Sequence, residues 1–489
     1  MELRGNSAKR AMLKIASRNK PKSASVIGSG PNGLAAAIVL AQAELSVEVY
    51  EAQPMAGGGA RTMELTLPGF QHDFGSAVHP LAAGSPFFSS LPLHDYGLEW
   101  LQPPAPAAHP LDDGMAVTLE RNLHDAALEL GGDGPAWRRL FEPFASRWND
   151  FTEDTLHPVR PLPEHPLLMA RFGLAAIHSA RALANSGFRN ARTKALFAGI
   201  AAHSFLSLDR PFSSAAGLML GAAAHAVGWP IPRGGAGSIT RALCGYLAQF
   251  GITVQTSRPV NSLTQLPQSD LTLCDVTPRQ LISIVGPRLS DSYSRRLAKF
   301  RYGPGVFKVD YALSSPIPWK ALECTRAGTV HVGGSMDEIA RSEHNMSHGR
   351  YSDKPFVLIT QPSLFDSSRA PEGKHTAWAY CHIPNGSNFD MRERVENQIE
   401  RFAPGFRDCV LARHVFRPAD LEAMDANLVG GDIVGGASDL WQMLFRPTWR
   451  QYATSARDIY LCSASTPPGG GVHGMCGYHA ARLALSRLE

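Results

Sequence analysis

The stretch that decides the fold begins Ala24-Ser25-Val26-Ile27-Gly28-Ser29-Gly30-Pro31-Asn32-Gly33 and ends at Glu51. Its apolar start is typical of a short buried strand, and the alanine- and leucine-rich residues 34–43 are typical of a helix. A second β-branched run, Val47-Glu48-Val49-Tyr50, leads directly into the acid. Strand, glycine turn, helix, strand and acid in this order predict a dinucleotide-binding βαβ unit.

The glycine turn has the residue types that a phosphate-binding loop needs. Gly28 allows a tight turn, Gly30 lets the backbone approach a pyrophosphate, and Gly33 lets the helix pack on the strand. Free N–H groups and the positive end of the helix dipole then face the phosphates. The alternative interpretation is a glycine-rich turn with a purely structural role. We expect the unit to bind a cofactor through Gly28, Ser29, Gly30, Pro31, Asn32 and Gly33, with Glu51 accepting a ribose hydroxyl.

The composition indicates a globular chain with a large interior. Its 489 residues are enough for two domains, and 44% of them are apolar while only 18% are charged. The net charge of +4 is concentrated near the start, because residues 1–22 hold seven cations and one acid. The rest of the chain therefore carries a net charge of −2, which argues against a nucleic-acid-binding surface on the folded body.

The basic segment 1–22 has three interpretations. It is a disordered tail, a start assigned too early with Met12 as the true first residue, or an arginine-rich organellar presequence; we favour the first two. A secretory signal is not expected, because no apolar core segment follows the basic start. The resulting prediction is a cytoplasmic protein, with peripheral membrane association and an organellar presequence left open.

The seven cysteines include no C-x-x-C pair. This spacing predicts free thiols in a reducing compartment and argues against dithiol redox chemistry. It also argues against a zinc site, and we expect no metal.

The middle of the chain changes from helical to strand-like patterns. Residues 84–228 look mainly helical, with an apolar stripe around Trp137 and a predicted break at Pro143. The uncharged segment 213–227 is too short to cross a bilayer and predicts a buried helix. Alternating runs between Val306 and Pro384 predict an antiparallel sheet of a second domain.

A second G-x-G-x-x-G at Gly469, Gly471 and Gly474 is followed by only 15 residues. That length cannot supply a helix, a strand and a ribose acid, so we expect a single bound dinucleotide. A single dinucleotide favours flavin over nicotinamide, since a flavin can stay bound and be reoxidised in place. The Gly469–Gly471 loop, before a C-terminal helix, is suited to stabilising negative charge on the N1–C2=O edge of a reduced flavin. The alternative is an ordinary helix start.

Four motifs together resemble a known family. These are the opening fingerprint, the glycines at 57–58, the stretch 232–237 and Tyr460-Leu461-Cys462…Gly471-Val472-His473-Gly474. They resemble the phytoene dehydrogenase-related FAD oxidoreductases, and within them the subgroup named for pyridine nucleotide-disulphide oxidoreductase domain-containing protein 2. The likeness covers nearly everything from residue 24 onward.

The resemblance implies an α/β fold with a discontinuous Rossmann-type FAD-binding domain. An α+β substrate domain, with a mixed or antiparallel sheet plus helices, is inserted into it, as in phytoene desaturases and flavin amine oxidases. The expected divisions are a disordered basic tail (1–22), FAD-binding parts (23–82, 229–300 and 451–489), a mainly helical substrate or lid region (83–228) and a substrate domain with an antiparallel sheet (301–450).

The resemblance also assigns further cofactor contacts. Val260 would offer its backbone to the adenine, and Gly470, Gly471 and Val472 would lie beside the isoalloxazine. Relatives commonly have arginine directly after the paired glycines, whereas here Gly59-Ala60 separate Gly58 from Arg61. Arg61 is still expected at the phosphates. The FAD is expected to be non-covalent, since no attachment motif is present.

Lys308 is the main catalytic candidate. The run Gly305-Val306-Phe307-Lys308-Val309-Asp310-Tyr311 resembles the amine-oxidase strand whose lysine holds a water near flavin N5. Strand periodicity puts Val306, Lys308 and Asp310 on one face. The alternative is a Lys308–Asp310 pair at the surface.

Other candidates are two histidines and one strand face. His79 and His473 lie beside glycine or proline turns and are weighed as catalytic groups against structural histidines. Trp378, Tyr380 and His382 share a strand face that either roofs a substrate cavity or packs against the helical region; we favour packing.

These features predict an FAD-dependent oxidoreductase that transfers hydride between an apolar or amphipathic organic substrate and flavin N5. Carbon–carbon desaturation or saturation of the phytoene dehydrogenase type is favoured. Amine oxidation, and a flavin-bound interaction protein without turnover, are the alternatives. Oxygen, a quinone or a carrier would accept the electrons.

Overall fold

The structure is a computed structural model that describes residues 22–160 and 162–488. The predictions for the basic tail fall on residues 1–21 and lie outside the described residues. Lys22 is the one member of that segment inside them, and its Nζ donates a hydrogen bond to the Leu488 carbonyl at 2.8 Å.

A five-stranded parallel sheet forms the first layer. Its strands come from three widely separated parts of the chain, in the spatial order Ile459–Leu461, Leu271–Cys274, Ser23–Ile27, Ser46–Tyr50 and Val254–Gln255. The alanine- and leucine-rich helices Pro31–Gln42, Gly237–Ala248 and Met475–Ser486 pack on one face. Helices Pro278–Val285 and Asp291–Leu297 cover the other face. This is a doubly wound α/β arrangement, as predicted.

A seven-stranded mixed sheet forms the second layer. Its spatial order is Val410–Phe416, Gly305–Leu313, His375–Ile383, Val357–Thr360, Ala327–Val332, Ala105–Pro110 and Ala116–Leu119. Neighbouring strands are antiparallel except for the parallel pair formed by Ala327–Val332 and Ala105–Pro110. Two small antiparallel pairs, Thr62–Glu64 with Gln71–Asp73 and Trp100–Leu101 with Ile231–Pro232, lie beside the main sheets.

The two faces of the seven-stranded sheet have different partners. One face, which includes Phe307 and Val309, packs on helix Arg392–Phe402. The other, which includes Val306, Leu358 and Tyr380, belongs to a core shared with a helical layer. That layer contains Leu123–Glu129, Gly134–Ala145, Trp148–Thr155, Pro166–Ala176, Ala180–Gly187, Ala191–Ala201, Ser214–Ala226 and Met336–Ser347. Shorter helices are Pro80–Ala83, Pro86–Ser89, Phe406–Cys409, Pro418–Met424 and Leu440–Phe445.

The expectation that residues 84–228 are mainly helical missed two strands of the large sheet. Ala105–Pro110 and Ala116–Leu119 are strands whose residues are all buried. The first reads Ala-Pro-Ala-Ala-His-Pro, so it lacks both the β-branched residues and the polar alternation that mark a strand. Pairing with Ala327–Val332 overrides this local preference.

The predicted break at Pro143 is also wrong, because the helix continues to Ala145. A proline at this position leaves the carbonyl of Arg139, four residues earlier, without its helical donor. Arg171 Nη2 donates to that carbonyl at 2.6 Å instead. A tertiary hydrogen bond therefore offsets the bond that proline removes.

Within the described ranges, no single helix is long and apolar enough to cross a membrane. The helices Pro166–Ala176 and Ala180–Gly187, which meet at a sharp bend, are together long and apolar enough. The segment predicted as a buried helix is the helix Ser214–Ala226.

Candidate functional site

A cavity of about 580 Å³ lies between the two sheets. Its floor is the edge where the parallel strands end, since Gly28, Glu51, Asp275 and Ser463 all line it. This carboxyl edge is where ligands bind in open α/β sheets. Its opposite wall is the helix-facing side of the seven-stranded sheet, including Lys308. The cavity therefore joins the predicted dinucleotide unit to the predicted substrate domain.

The glycine turn is packed so closely that a side chain at Gly30 or Gly33 would clash with its neighbours. A Cβ on Gly33 would lie 2.1 Å from the Gly28 carbonyl oxygen, and one on Gly30 would lie 2.8 Å from Asp275 Oδ2. Gly28 itself has φ of 96°, a conformation that favours glycine. All the predicted residues of the turn line the cavity except Gly33, which holds the helix against the strand.

Glu51 is buried and held in one orientation at the cavity floor. Its Oε2 accepts hydrogen bonds from Ser29 N at 3.0 Å and Ser29 Oγ at 2.6 Å. Its Oε1 accepts one from Gln53 N at 2.9 Å. The carboxylate therefore ties the end of the second strand to the glycine turn while it faces the cavity.

Arg61 reaches the cavity despite the two residues inserted after Gly58. Gly57 and Gly58 both have positive φ, and Ala60 N donates to the Gly57 carbonyl at 2.8 Å, so the chain turns back on itself. Arg61 Nε donates to the Gly58 carbonyl at 2.6 Å and Nη2 to Met424 O at 2.9 Å. Burial lowers the pKa of Arg61, and Asp425 and Glu51 oppose that shift. A cation is thus built into the cavity wall beside the glycine turn.

Asp275 is a site residue that the sequence analysis missed. It directly follows the strand Leu271–Cys274, is buried, and its Oδ2 accepts a hydrogen bond from Gly33 N at 2.9 Å. Burial raises the pKa of Asp275 to about 7, and the nearby charges of Asp425 and Glu51 add to this rise. The hydrogen bond from Gly33 N acts in the opposite direction and lowers the pKa. The sequence contains one indication of this role, an acidic residue directly after a buried strand. Its position under the glycine turn, however, depends on the pairing of that strand with Ser23–Ile27.

Replacing Asp275 by asparagine is expected to stabilise the cofactor-free protein at pH 8. Asparagine keeps an acceptor for Gly33 N and removes a carboxylate that is costly to ionise. Because the pKa is raised from 3.8 to about 7, the folded protein retains a proton that the unfolded chain loses. The contribution of Asp275 to the free energy of unfolding of the wild type therefore decreases as the pH rises from about 4 to about 7, and it stays constant above pH 7. We expect the variant to gain up to about 4 kcal/mol at pH 8 and less at pH 5, measured by urea unfolding. A gain independent of pH would contradict this.

The remaining predicted cofactor contacts also line the cavity. Val260 lines it together with Arg258 and Asn261, near Glu51 and Gln53. Gly470, Gly471 and Val472 line it on the loop that precedes helix Met475–Ser486. Gly471 has φ of 128°, so this backbone position also favours glycine.

Lys308 combines parts of both interpretations that the sequence left open. It forms an ion pair with Asp310, but both side chains are buried rather than at the surface. It also lines the cavity, with its Nζ 5.1 Å from the ring centre of Phe416 and 5.8 Å from that of Trp378. Burial lowers the pKa of Lys308, and Asp310 opposes that shift. A paired cation therefore lies in the wall of the cavity.

The two candidate histidines have different positions. His79 lines the cavity, and its buried Nε2 has no hydrogen-bond partner among the described residues. His473 does not line it; its Nδ1 accepts from Met475 N at 3.0 Å, behind the Gly471 loop. Burial lowers the pKa of each to about 4, so both are neutral at pH 7. Contact with substrate therefore stays a prediction for both histidines. The position of His79 in the cavity lining supports that prediction for His79.

The face carrying Trp378, Tyr380 and His382 is divided between two roles. Trp378 and Tyr380 line the cavity and also pack in the core shared with the helical layer, so both interpretations hold for them. His382 is buried against Glu343, with Nδ1 2.7 Å from Glu343 Oε2. Residues of this end that the sequence did not single out are His203, Phe205, Leu220, Trp229, Thr329 and Leu358. No sequence motif marks them, because they come from three separate parts of the chain.

The residues present fit an extended dinucleotide with a flavin end. Gly28, Gly30 and Gly58 all line the cavity, and Gly58 lies close to Gly30, since a Cβ on Gly58 would be 3.2 Å from the Gly30 Cα. Asn32 Oδ1, at the cradle, has no partner among the described residues. The lining is continuous from Val260 to Val472, which the adenine and isoalloxazine ends would require.

Comparisons with known proteins agree with the opening fingerprint and with the overall resemblance. A family model described as an NAD(P)-binding Rossmann-like domain matches residues 26–91. The mouse pyridine nucleotide-disulfide oxidoreductase domain-containing protein 2 is 26% identical, covering 98% of this chain and 96% of the relative. A lycopene-forming phytoene desaturase of Pseudescherichia vulneris is 27% identical over 26% of this chain and 28% of its own. These matches confirm the predicted resemblance.

Solved structures show the same fold at low sequence identity. An oxidoreductase from Methanosarcina mazei has a TM-score of 0.62 at 15% identity, covering 95% of this chain and 100% of the other. Putrescine oxidase bound to putrescine has a TM-score of 0.58 at 15% identity, covering 96% and 99%. The predicted fold class, a Rossmann-type domain with a mixed sheet and helices, is confirmed.

Proposed function

We propose that this chain, an oxidoreductase of the phytoene desaturase and amine oxidase superfamily, uses non-covalent FAD to desaturate or saturate a carbon–carbon bond in an apolar or amphipathic substrate. The observation that carries the proposal is the continuous cavity, which joins the glycine cradle to an aromatic wall. A dinucleotide site alone would fit many activities, whereas a site that opens onto Trp378 and Tyr380 fits redox chemistry on an organic molecule.

The residues that would hold FAD are those of the cradle, Glu51 for the ribose, Arg61 for the pyrophosphate, Val260 for the adenine and the 470–472 loop for the ring system. When bound, FAD would accept hydride from a substrate that is desaturated and pass the electrons to oxygen, a quinone or a carrier, whereas saturation would need an external reductant to supply them. The sequence match to an NAD(P)-binding model concerns the shared βαβ unit and is compatible with this cofactor.

The chain's own residues would exclude water and fix charge around the reacting groups. Leu358, Phe205 and Leu220 give the substrate end an apolar lining. Lys308, held by Asp310, offers a cation or a proton at the sheet wall. A positioned charge in such a dry site is worth more than the same charge in water.

Amine oxidation is the second candidate, favoured by the Lys308 strand and by the likeness to putrescine oxidase. One feature argues against it. Among the described cavity residues contributed by the seven-stranded sheet, none is a carboxylate. An alkylammonium ligand would therefore lack a counter-ion there, apart from Asp310, which already pairs with Lys308.

Anaerobic reduction by a substrate panel tests the proposal. We expect the flavin absorption of the purified protein to bleach with conjugated polyenes or their saturated precursors and not with mono- or diamines. Bleaching by amines alone would support the second candidate. Bleaching by neither, combined with photoreduced flavin that polyenes fail to reoxidise without oxygen, would favour the flavin-bound protein without turnover.

Contact with a membrane remains part of the proposal. Six large apolar side chains are exposed along a short segment that follows the cavity-lining residues Val434 and Gly435. They are Leu440, Trp441, Met443, Leu444, Phe445 and Trp449.

A further inference from the structure

Two histidines meet at the substrate end of the cavity. His203, in the turn after helix Ala191–Ala201, lines the cavity, and its Nε2 lies 3.0 Å from Nε2 of His331. His331 is on the strand Ala327–Val332, on the same face as the cavity residue Thr329, and is fully buried. This contact is part of neither the cofactor cradle nor the Lys308 pair.

The two rings can share only one proton at this contact. Burial lowers the pKa of His203 to about 3 and that of His331 well below its usual range, so both are neutral. A neutral imidazole has one N–H donor and one bare nitrogen acceptor. One of the two rings must therefore donate through Nε2 and the other accept.

The surroundings of His331 decide which ring donates. The Nδ1 of His331 is buried and has no hydrogen-bond partner among the described residues. This nitrogen packs against Gly199, because a Cβ built on Gly199 would lie 2.8 Å from it. A buried N–H without an acceptor is rarer than a bare lone pair. His331 therefore carries its proton on Nε2 and donates to His203.

This arrangement leaves His203 with its proton on Nδ1. No described residue accepts a hydrogen bond from this Nδ1, and the atom is not fully enclosed by protein. It is therefore accessible from the cavity that the His203 side chain lines. Trp229 packs against the ring at 5.7 Å, and Phe205 and Leu220 make the neighbouring lining apolar. A lone donor in apolar surroundings suits a neutral acceptor oxygen better than a carboxylate.

We infer that His203 donates a hydrogen bond to a neutral oxygen of the substrate, a carbonyl in the simplest case, and that His331 is the positioning residue that sets its tautomer. This inference rests on the proposed function, because it takes the aromatic end of the cavity to be the substrate end. It narrows the substrate class from apolar molecules in general to those with an oxygen-bearing terminus or ring.

A matched pair of probes tests the donor. Benzylideneacetone and the isosteric hydrocarbon in which a methylene group replaces its carbonyl oxygen are titrated into the purified protein by calorimetry. We expect the ketone to bind about 10-fold more tightly, since the hydrocarbon leaves the donor unpaired. His203→Phe should remove this preference, and His203→Gln, which retains a donor, should restore part of it. A wild-type protein that binds both equally, or neither, would overturn the inference.

Trp378 provides a control for the identity of the donor. Its buried Nε1 also lacks a partner among the described residues. If the ketone preference disappears in Trp378→Phe and persists in His203→Phe, the donor is the indole and our assignment is overturned. FAD content is measured on each sample, so that a protein lacking flavin, which would count against the proposed function, is distinguished from one lacking the preference.

Nitrogen NMR of histidine-labelled protein tests the role of His331. We expect His203 to show the Nδ1–H tautomer in the wild type and to revert to the commoner Nε2–H form in His331→Phe. Simple loss of packing would not change a tautomer. An Nε2–H signal for His203 in the wild type would contradict the assignment.

Discussion

Gly33→Ala is expected to yield protein that has lost most of its bound FAD. The new Cβ would lie 2.1 Å from the Gly28 carbonyl oxygen, a backbone atom that no rotamer change can move away. Either the helix moves off the strand or the turn opens, and both displace the N–H groups that face the phosphates. Overpacking of this kind costs about 1–3 kcal/mol, and because the strain falls on the binding turn we expect FAD affinity to fall about 5- to 160-fold.

The measurement is the ratio of released FAD to protein after purification and after dialysis against excess FAD. Gly173→Ala is the matched control, because a Cβ at this glycine in helix Pro166–Ala176 meets no atom of the described residues within 4 Å. It should retain full occupancy. Equal FAD content in the two variants would show that the glycine turn does not hold the cofactor.

Lys308→Met is expected to slow flavin reoxidation or turnover by at least about 10-fold while FAD occupancy stays near normal. The reason is the loss of a cation that lines the cavity wall and is held in place by Asp310. Reductive and oxidative half-reactions measured separately by stopped flow would show which step the charge serves.

The structure adds a complication that sequence alone did not predict. Because the pair is buried, Lys308→Met leaves Asp310 without its cation, and breaking a buried pair costs about 3–5 kcal/mol. Part of that cost is relieved by protonation, since burial raises the pKa of Asp310 to about 6. The double variant Lys308→Met/Asp310→Asn should recover stability and remain slow. A double variant with normal half-reactions would reduce the pair to a structural role.

The parts predicted well are those with local signals. The glycine turn needs particular residues at particular positions, so Gly28 to Glu51 could be assigned by spacing alone. The strand containing Lys308 alternates clearly enough to place its side chain on the same face as Val306, and both line the cavity.

The parts missed depend on which distant elements meet. Asp275 becomes a site residue because its strand pairs with Ser23–Ile27, and that pairing has no local signature. Ala105–Pro110 becomes a strand because a parallel neighbour binds it. His203 and His331 are 128 residues apart, and neither is part of a recognisable motif. Tertiary contact, rather than propensity, decides all three.

The most direct test of the account is the identity and amount of the cofactor released by acid from protein purified without added flavin. Mass spectrometry and absorbance should identify intact FAD, close to one per chain, with no flavin left on the precipitated polypeptide. Protein that carries no FAD and cannot be reconstituted with it, or that binds a nicotinamide dinucleotide in its place, would contradict the central claim.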